Sequence, residues 1–207
     1  EIAIIYRANR EAFPIAEALE KEKISYVIES DEDLLSEKFV RKIIAILEAV
    51  YKYGEDSFLI PVLHIPEFGI EALTAYRLIS DASKKRIPLY DLLKESKDEK
   101  IQEFNKTLER WVKESKSEGL SHFLEKILRE SGILNSMISS RDAEAFLGIE
   151  RLFEEGKRIS ENRREASLTD FIEYLNIIRN RKLFIKRPKH NIRQDAVRLM
   201  TAHRSKG

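Results

Sequence analysis

Apolar positions along the chain follow two rules. Near both ends they come in short β-rich runs, and between those runs they recur every three or four residues. Ile2-Ala3-Ile4-Ile5-Tyr6 is short, β-branched and uncharged, which predicts a strand of the fully buried kind. A helical pattern starts near Glu11, with Ile15, Ala18 and Leu19 on one face. Ile24-Ser25-Tyr26-Val27-Ile28 predicts a second strand, and Val197-Arg198-Leu199-Met200 a last one. Strand, helix, strand is the order of a parallel βαβ unit.

The middle reads as helix after helix, and no strand pattern competes between about 37 and 178. Phe39, Ile43, Ile46, Leu47 and Val50 make one stripe before Gly54. Ile101, Phe104, Leu108, Trp111 and Val112 make another. Ser121 is placed to cap a helix with Phe123, Leu124, Ile127 and Leu128 inward, and Gly132 to end it. Phe146, Leu147, Phe153 and Ile159 predict a longer helix, interrupted by Gly148 and Gly156. Ser167-Leu168-Thr169-Asp170 has capping-box spacing ahead of Phe171, Leu175 and Ile178. Aromatics at such spacing are core filling, so Phe104 and Trp111 are assigned to packing rather than base stacking. Tyr51 and Tyr53 are read as packing at a domain boundary. No fixed-period repeat points to a solenoid. The expected fold is mainly α with a small parallel α/β part.

Composition narrows the function without choosing it. There are no cysteines, hence no disulfide framework or thiolate metal site. No apolar run approaches the ~18 residues of a membrane span, and no signal peptide is evident. These features suit a cytoplasmic protein without a membrane partner. The net charge of +1 hides an asymmetry. Residues 179–193 hold seven Lys or Arg and no acid, on an otherwise acidic body. Within that run Arg181, Lys182, Lys186, Arg187 and Lys189 are candidate phosphate contacts. A solvated linker between domains is the equally weighted alternative. Leu183, Phe184 and Ile185 inside the run point to partial burial.

Several chemistries are absent. No Gly-x-x-x-x-Gly-Lys-[Ser/Thr] occurs, and no apolar strand ends in Asp-Glu. His64, His122, His190 and His203 lack metal-ligand spacing, so no metal site and no catalytic residue is expected. Asp31-Glu32-Asp33 reads as a solvated turn.

The final strand runs into Thr201-Ala202-His203-Arg204-Ser205-Lys206-Gly207. Hydroxyl, imidazole and ammonium groups at a strand's carboxyl end form a polyanion-binding edge. This ending resembles motif V of the UvrD/Rep/PcrA helicases, which reads apolar-x-Leu-Met-Thr-x-His-x-x-Lys-Gly and continues Leu-Glu-Phe. The opening Ile-Ala-Ile-Ile-Tyr-Arg-Ala-Asn resembles the Ile-Ala-Val-Leu-Tyr-Arg-Thr-Asn segment of the same family. Two matched ends in order are more specific than either alone.

The resemblance implies a piece of a superfamily 1 DNA helicase. Residues 1–36 and 191–207 would belong to an incomplete RecA-like subdomain 2A, and 37–190 to the inserted helical subdomain 2B. It also implies that Arg7, Asn9, Thr201 and His203 meet the single-stranded DNA backbone, with Lys206 and Gly207 toward the nucleotide. The parent would use ATP and Mg2+ to move 3′ to 5′ along single-stranded DNA, whereas this piece alone would bind neither and be inactive. Its partners would be single-stranded and junction DNA and the rest of the helicase, subdomains 1A, 1B and the remainder of 2A. Exposed sheet edges would invite dimerisation or swapping. In the family a Pro-x-x-Gly-Ile-Gly turn grips duplex backbone. Here Pro66-Glu67-Phe68-Gly69-Ile70-Glu71 keeps Gly69 but puts a carboxylate at Glu71, which repels phosphate. Gly69 remains a candidate phosphate contact, with a plain helix start as the favoured alternative. The competing class is a helical protein-interaction module of a repair or replication factor.

Overall fold

The computed structural model describes residues 2–7, 11–29, 33–162, 166–181, 183, 185–186 and 195–202. The chain divides into two units, one of residues 1–33 and 186–207, the other of residues 34–185. The fold is mainly α, with one small parallel sheet.

The first unit holds β1 (Ala3–Tyr6), α1 (Ala12–Lys21), β2 (Tyr26–Glu29) and β3 (Val197–Thr201). The strand order is β1-β3-β2, and both pairings are parallel. The last strand therefore slots between the first two. Its central place explains why Leu199 is fully buried. Tyr6, Ala12, Ala16, Val197 and Leu199 form the core, flanked by Ile4, Ile15, Leu19 and Tyr26. Among the described residues of this unit, α1 packs on one sheet face. Ile5, which points the other way, is 54% exposed. The expectation of a strand buried on both faces thus fails for β1, because no second layer stands against it among the described residues.

The second unit contains α2 (Lys38–Tyr51), α3 (Asp56–Leu63), α4 (Ala72–Lys85), α5 (Leu89–Glu95) and α6 (Glu99–Glu114). It continues with α7 (Leu120–Glu130), α8 (Ile133–Ser140), α9 (Ala143–Asn162) and α10 (Leu168–Asn180). α2 is the central helix, with eight buried side chains from Phe39 to Val50. The carboxylate of Glu37 caps it by accepting the Val40 N–H at 2.7 Å. The predicted stripe of α6 is buried at Ile101, Phe104, Leu108 and Trp111. Phe68 stacks obliquely on Phe104 and Trp111, so these rings are core, as expected. The predicted capping box of Ser167 and Asp170 opens α10.

Three local expectations need correction. α7 is capped at Gly119, and Ser121 lies inside the helix. Gly132 does follow that helix in the left-handed region (φ 76°), but it also starts α8. α9 runs unbroken through Gly148 and Gly156. A Cβ on Gly156 would come within 2.7 Å of Leu124 Cδ1 on α7. The glycine is there so that two helices approach closely, not to stop one. Tyr53 lies within the helical unit rather than at its boundary. Its ring meets Tyr90 edge-on at 4.6 Å, and its hydroxyl donates to Glu109 at 3.3 Å.

A buried charge cluster ties α9 to α10. Glu155, only 2% exposed, is paired with Arg151 and Arg158 and accepts the Tyr174 hydroxyl at 2.6 Å. Burial first, and the carboxylate beside it second, push the Tyr174 phenol up to about 12. Burial likewise takes Tyr53 and Tyr90 to about 12.

Candidate nucleic-acid interface

β1 and β3 lie side by side and point the same way, with Tyr6 opposite Thr201. The Ala202 N–H donates to the Tyr6 carbonyl at 3.0 Å, so the pairing persists to the carboxyl ends. Arg7 follows Tyr6 directly, which brings Arg7 and Thr201 to one edge of the sheet. Arg7 is exposed, and Thr201 is half-buried. Irregular backbone leaving adjacent parallel strands at their carboxyl ends is where such sheets bind ligands.

Local chemistry shapes this edge. The Arg7 N–H donates to the Glu11 carboxylate at 3.0 Å, which fixes the bend between β1 and α1. The Arg7 guanidinium remains on the surface, a planar donor fork suited to phosphate. Tyr6 is buried beneath the edge, and its hydroxyl has no partner among the described residues. Burial raises its phenol above the ordinary value. Asn9, His203, Lys206 and Gly207 lie outside the described residues.

The structure separates the other candidates. Arg181 is the exposed C-cap of α10, in the helical unit. Lys186 belongs to the sheet unit, where it forms an isolated antiparallel bridge with Asp33. Lys182, Arg187 and Lys189 lie outside the described residues. Between Arg181 and Lys186, Ile185 is buried in the helical core, and its carbonyl accepts the Leu34 N–H at 2.8 Å. The expected partial burial is therefore real at Ile185, while Leu183 is 53% exposed.

At the glycine turn, Pro66–Phe68 form one 3-10 turn that Gly69 closes in the left-handed region (φ 67°). The Gly69 N–H is already used by the Pro66 carbonyl at 2.9 Å. The aliphatic chain of Lys100 lies 3.7 Å from where a Cβ would stand. Glu67, Glu103 and Glu130 line the small cavity beside it. Burial raises the Glu67 carboxyl, but the Lys42 ammonium at 2.5 Å outweighs that and holds it below the usual range. Glu67 is thus a carboxylate next to the turn, and Glu71 begins α4 without a side-chain cap. The three cavity glutamates are each paired, Glu67 with Lys42, Glu103 with Lys100 and Glu130 with Arg110, and the turn is a helix start whose Gly69 amide is already used.

With this geometry established, similarity to known proteins becomes informative. The family model for the UvrD-like helicase C-terminal domain matches residues 1–207. The chain belongs to the UvrD-like helicase C-terminal domain family. Among individual relatives, the ATP-dependent DNA helicase PcrA of Staphylococcus epidermidis is 22% identical over all of this chain and 29% of its own length. PcrA of Bacillus subtilis is 21% identical, again over the whole chain, across 30% of its own length. PcrA of Staphylococcus aureus is 19% identical across 29% of its length. The chain thus spans less than a third of these relatives. The resemblance carried by the two end segments and the family match agree.

Sequence reading missed one basic cluster in the helical unit. Lys38, Arg41 and Lys42 recur at helical spacing on α2 and share a groove with His64 at the end of α3. The spacing alone was visible, but only the packing of α3 on α2 brings His64 beside it.

Proposed function

We propose that this chain is part of an ATP-dependent DNA helicase that translocates 3′ to 5′ on single-stranded DNA in the cytoplasm. Residues 1–36 and 191–207 act as pieces of subdomain 2A, and residues 37–190 as subdomain 2B. The division of the chain at 33/34 and 185/186 supports this assignment. The observation that carries the reading is the parallel pairing of β1 with β3, which puts Arg7 and Thr201 on one edge.

On this reading the Arg7 guanidinium meets a phosphate, while Thr201 and Asn9 supply neutral hydrogen bonds and His203 donates or stacks. Contacts of this type fix the strand without reading its sequence, which a translocating motor requires. Glu11 accepts the backbone N–H of Arg7, and the Arg7 side chain is exposed at the edge.

ATP and Mg2+ belong to the intact helicase. Among the described residues no three His, Asp or Glu converge as a metal set, and the sequence has no P-loop. Both are assigned to subdomains 1A and 1B and the rest of 2A, which are this chain's partners within the same protein. Junction DNA is the further partner expected of the helical unit.

The test is a fluorescence titration of labelled oligothymidine with the chain at several salt concentrations. The expected result is weak binding whose log K falls linearly with log salt, by about 0.7 for each phosphate neutralised. Absence of binding, or binding indifferent to salt, contradicts the reading. Capture of one protein partner that survives nuclease treatment would favour the interaction-module alternative.

A further inference from the structure

The helical unit has an apolar groove where α4 turns into α5. Ile60 of α3, Ile79 and Ala82 of α4, and Ile87, Pro88 and Leu89 after it line an open cleft of about 620 Å³. Ile87 is 37% exposed. Two charged side chains share the lining, Asp56 and Arg86. The Asp56 carboxylate is engaged, because both its oxygens accept the Leu89 N–H at 2.9 Å. It also stands in the first turn of α3, where the helix dipole offsets its charge. Arg86 is exposed, and no described carboxylate pairs with it. Tyr76 lies one helical turn before Ile79 and is 66% exposed, so the apolar surface continues along α4. Residues 72–88 hold Arg77, Lys84, Lys85 and Arg86 against one acid, Asp81, which is paired with Lys85 at 3.4 Å. Lys84 and Lys85 complement the carboxyl end of α4. That role leaves the exposed Tyr76 and the guanidinium of Arg86 without a structural use.

We propose that this groove docks a short acidic segment of a partner protein, with an apolar side chain between Ile79 and Ile87 and a carboxylate on Arg86. The aliphatic walls reward an apolar anchor, since burying it removes water from both surfaces. The guanidinium at the side of the cleft matches a carboxylate as a planar donor fork. The excess of cations over acids in residues 72–88 adds a positive field that attracts acidic chains. A nucleic-acid backbone is a poor match, because it is held by several cations and this lining supplies one. The site lies wholly in the helical unit and is independent of the strand edge.

The experiment selects a random peptide library on the immobilised chain, then titrates the recovered peptides, labelled, against the chain and two variants, Arg86→Gly and Ile87→Ser. Arg86 has φ 56°, a conformation that glycine adopts more readily, so Arg86→Gly removes the guanidinium without straining the turn. Melting followed by Trp111 fluorescence verifies that each variant is folded. The expected peptides set Leu, Ile, Phe or Trp beside Asp or Glu. They bind Arg86→Gly about tenfold more weakly, the loss of one charge-assisted hydrogen bond. Ile87→Ser weakens them as well, and oligothymidine binding is the same for all three proteins. Recovery of no peptides, or of basic or uncharged ones, overturns the proposal. So does equal affinity for the chain and both folded variants, or displacement of the peptides by duplex DNA at matched ionic strength. Self-association of the chain that Ile87→Ser abolishes would make a second copy the occupant and equally overturn it. Loss of oligothymidine binding by the unaltered chain would sink the strand-edge reading and leave this one standing.

Discussion

The two units solve the problem of burial differently. In the helical unit, α2 is surrounded, and a continuous core runs from Leu34 to Ile185. In the sheet unit, one helix covers one face of three strands, and Ile2, Ile5 and Phe13 remain 65%, 54% and 70% exposed. Stability scales with apolar surface removed from water. The larger continuous core lies in the helical unit, while the sheet unit keeps a small core of five buried side chains among the described residues.

The largest test of this contrast uses the same kind of truncation in each unit. Phe171→Ala removes a fully buried ring beneath α9 and should cost about 3–5 kcal/mol, measured by denaturant unfolding followed at Trp111. Trp111 is the single tryptophan and lies in the helical core, so this signal reports that unit. Phe13→Ala in the sheet unit, followed by far-UV circular dichroism because Trp111 reports the other unit, should stay within about 0.5 kcal/mol, since its ring is 70% exposed. Equal losses from the two would erase the distinction between the units.

The glycines of α9 sharpen the comparison. Gly156→Ala forces a Cβ to 2.7 Å from Leu124 and should cost about 1–3 kcal/mol. Gly148→Ala meets Glu37 Cγ at 3.4 Å, an ordinary contact. There the gain in helix propensity should prevail, stabilising by roughly 0.5 kcal/mol. The same unfolding measurement separates them, and a gain at both positions would show that α7 and α9 are not tightly packed.

Alkaline pH probes the helical unit through three of its tyrosines. Tyr53, Tyr90 and Tyr174 have folded-state values near 12, above the ordinary 10. A raised value means the folded state holds its protons longer than the unfolded chain. That contribution is complete below pH 10 and is lost as pH rises toward 12. Unfolding at pH 9 and pH 11.5 should show the helical unit weaker at the higher value. Tyr174→Phe should reduce the difference, which a phenolate titration at 295 nm can follow.

Much of this was legible in the sequence, and the failures have physical causes. The stripe of α2 and the box at Ser167 are local patterns, and local patterns survive folding. Gly156 misled because a glycine inside a helix reads as a break unless the facing Leu124 is known. Ile5 suggested burial on both sides, but its cover is a property of the assembly and not of the strand. At the site, the paired ends were legible because each carries a dense local motif. The groove of Lys38, Arg41 and His64 was not, because its residues come from two helices joined only by packing.

The most direct measurement is the salt dependence of oligothymidine binding by the chain and by an Arg7→Ala/Thr201→Val variant. We expect the variant to bind more weakly, with its slope reduced by about 0.7 for the phosphate that Arg7 no longer neutralises. Identical affinity and slope for the two proteins would contradict the account, since the paired tips of β1 and β3 would then not be where the strand lies.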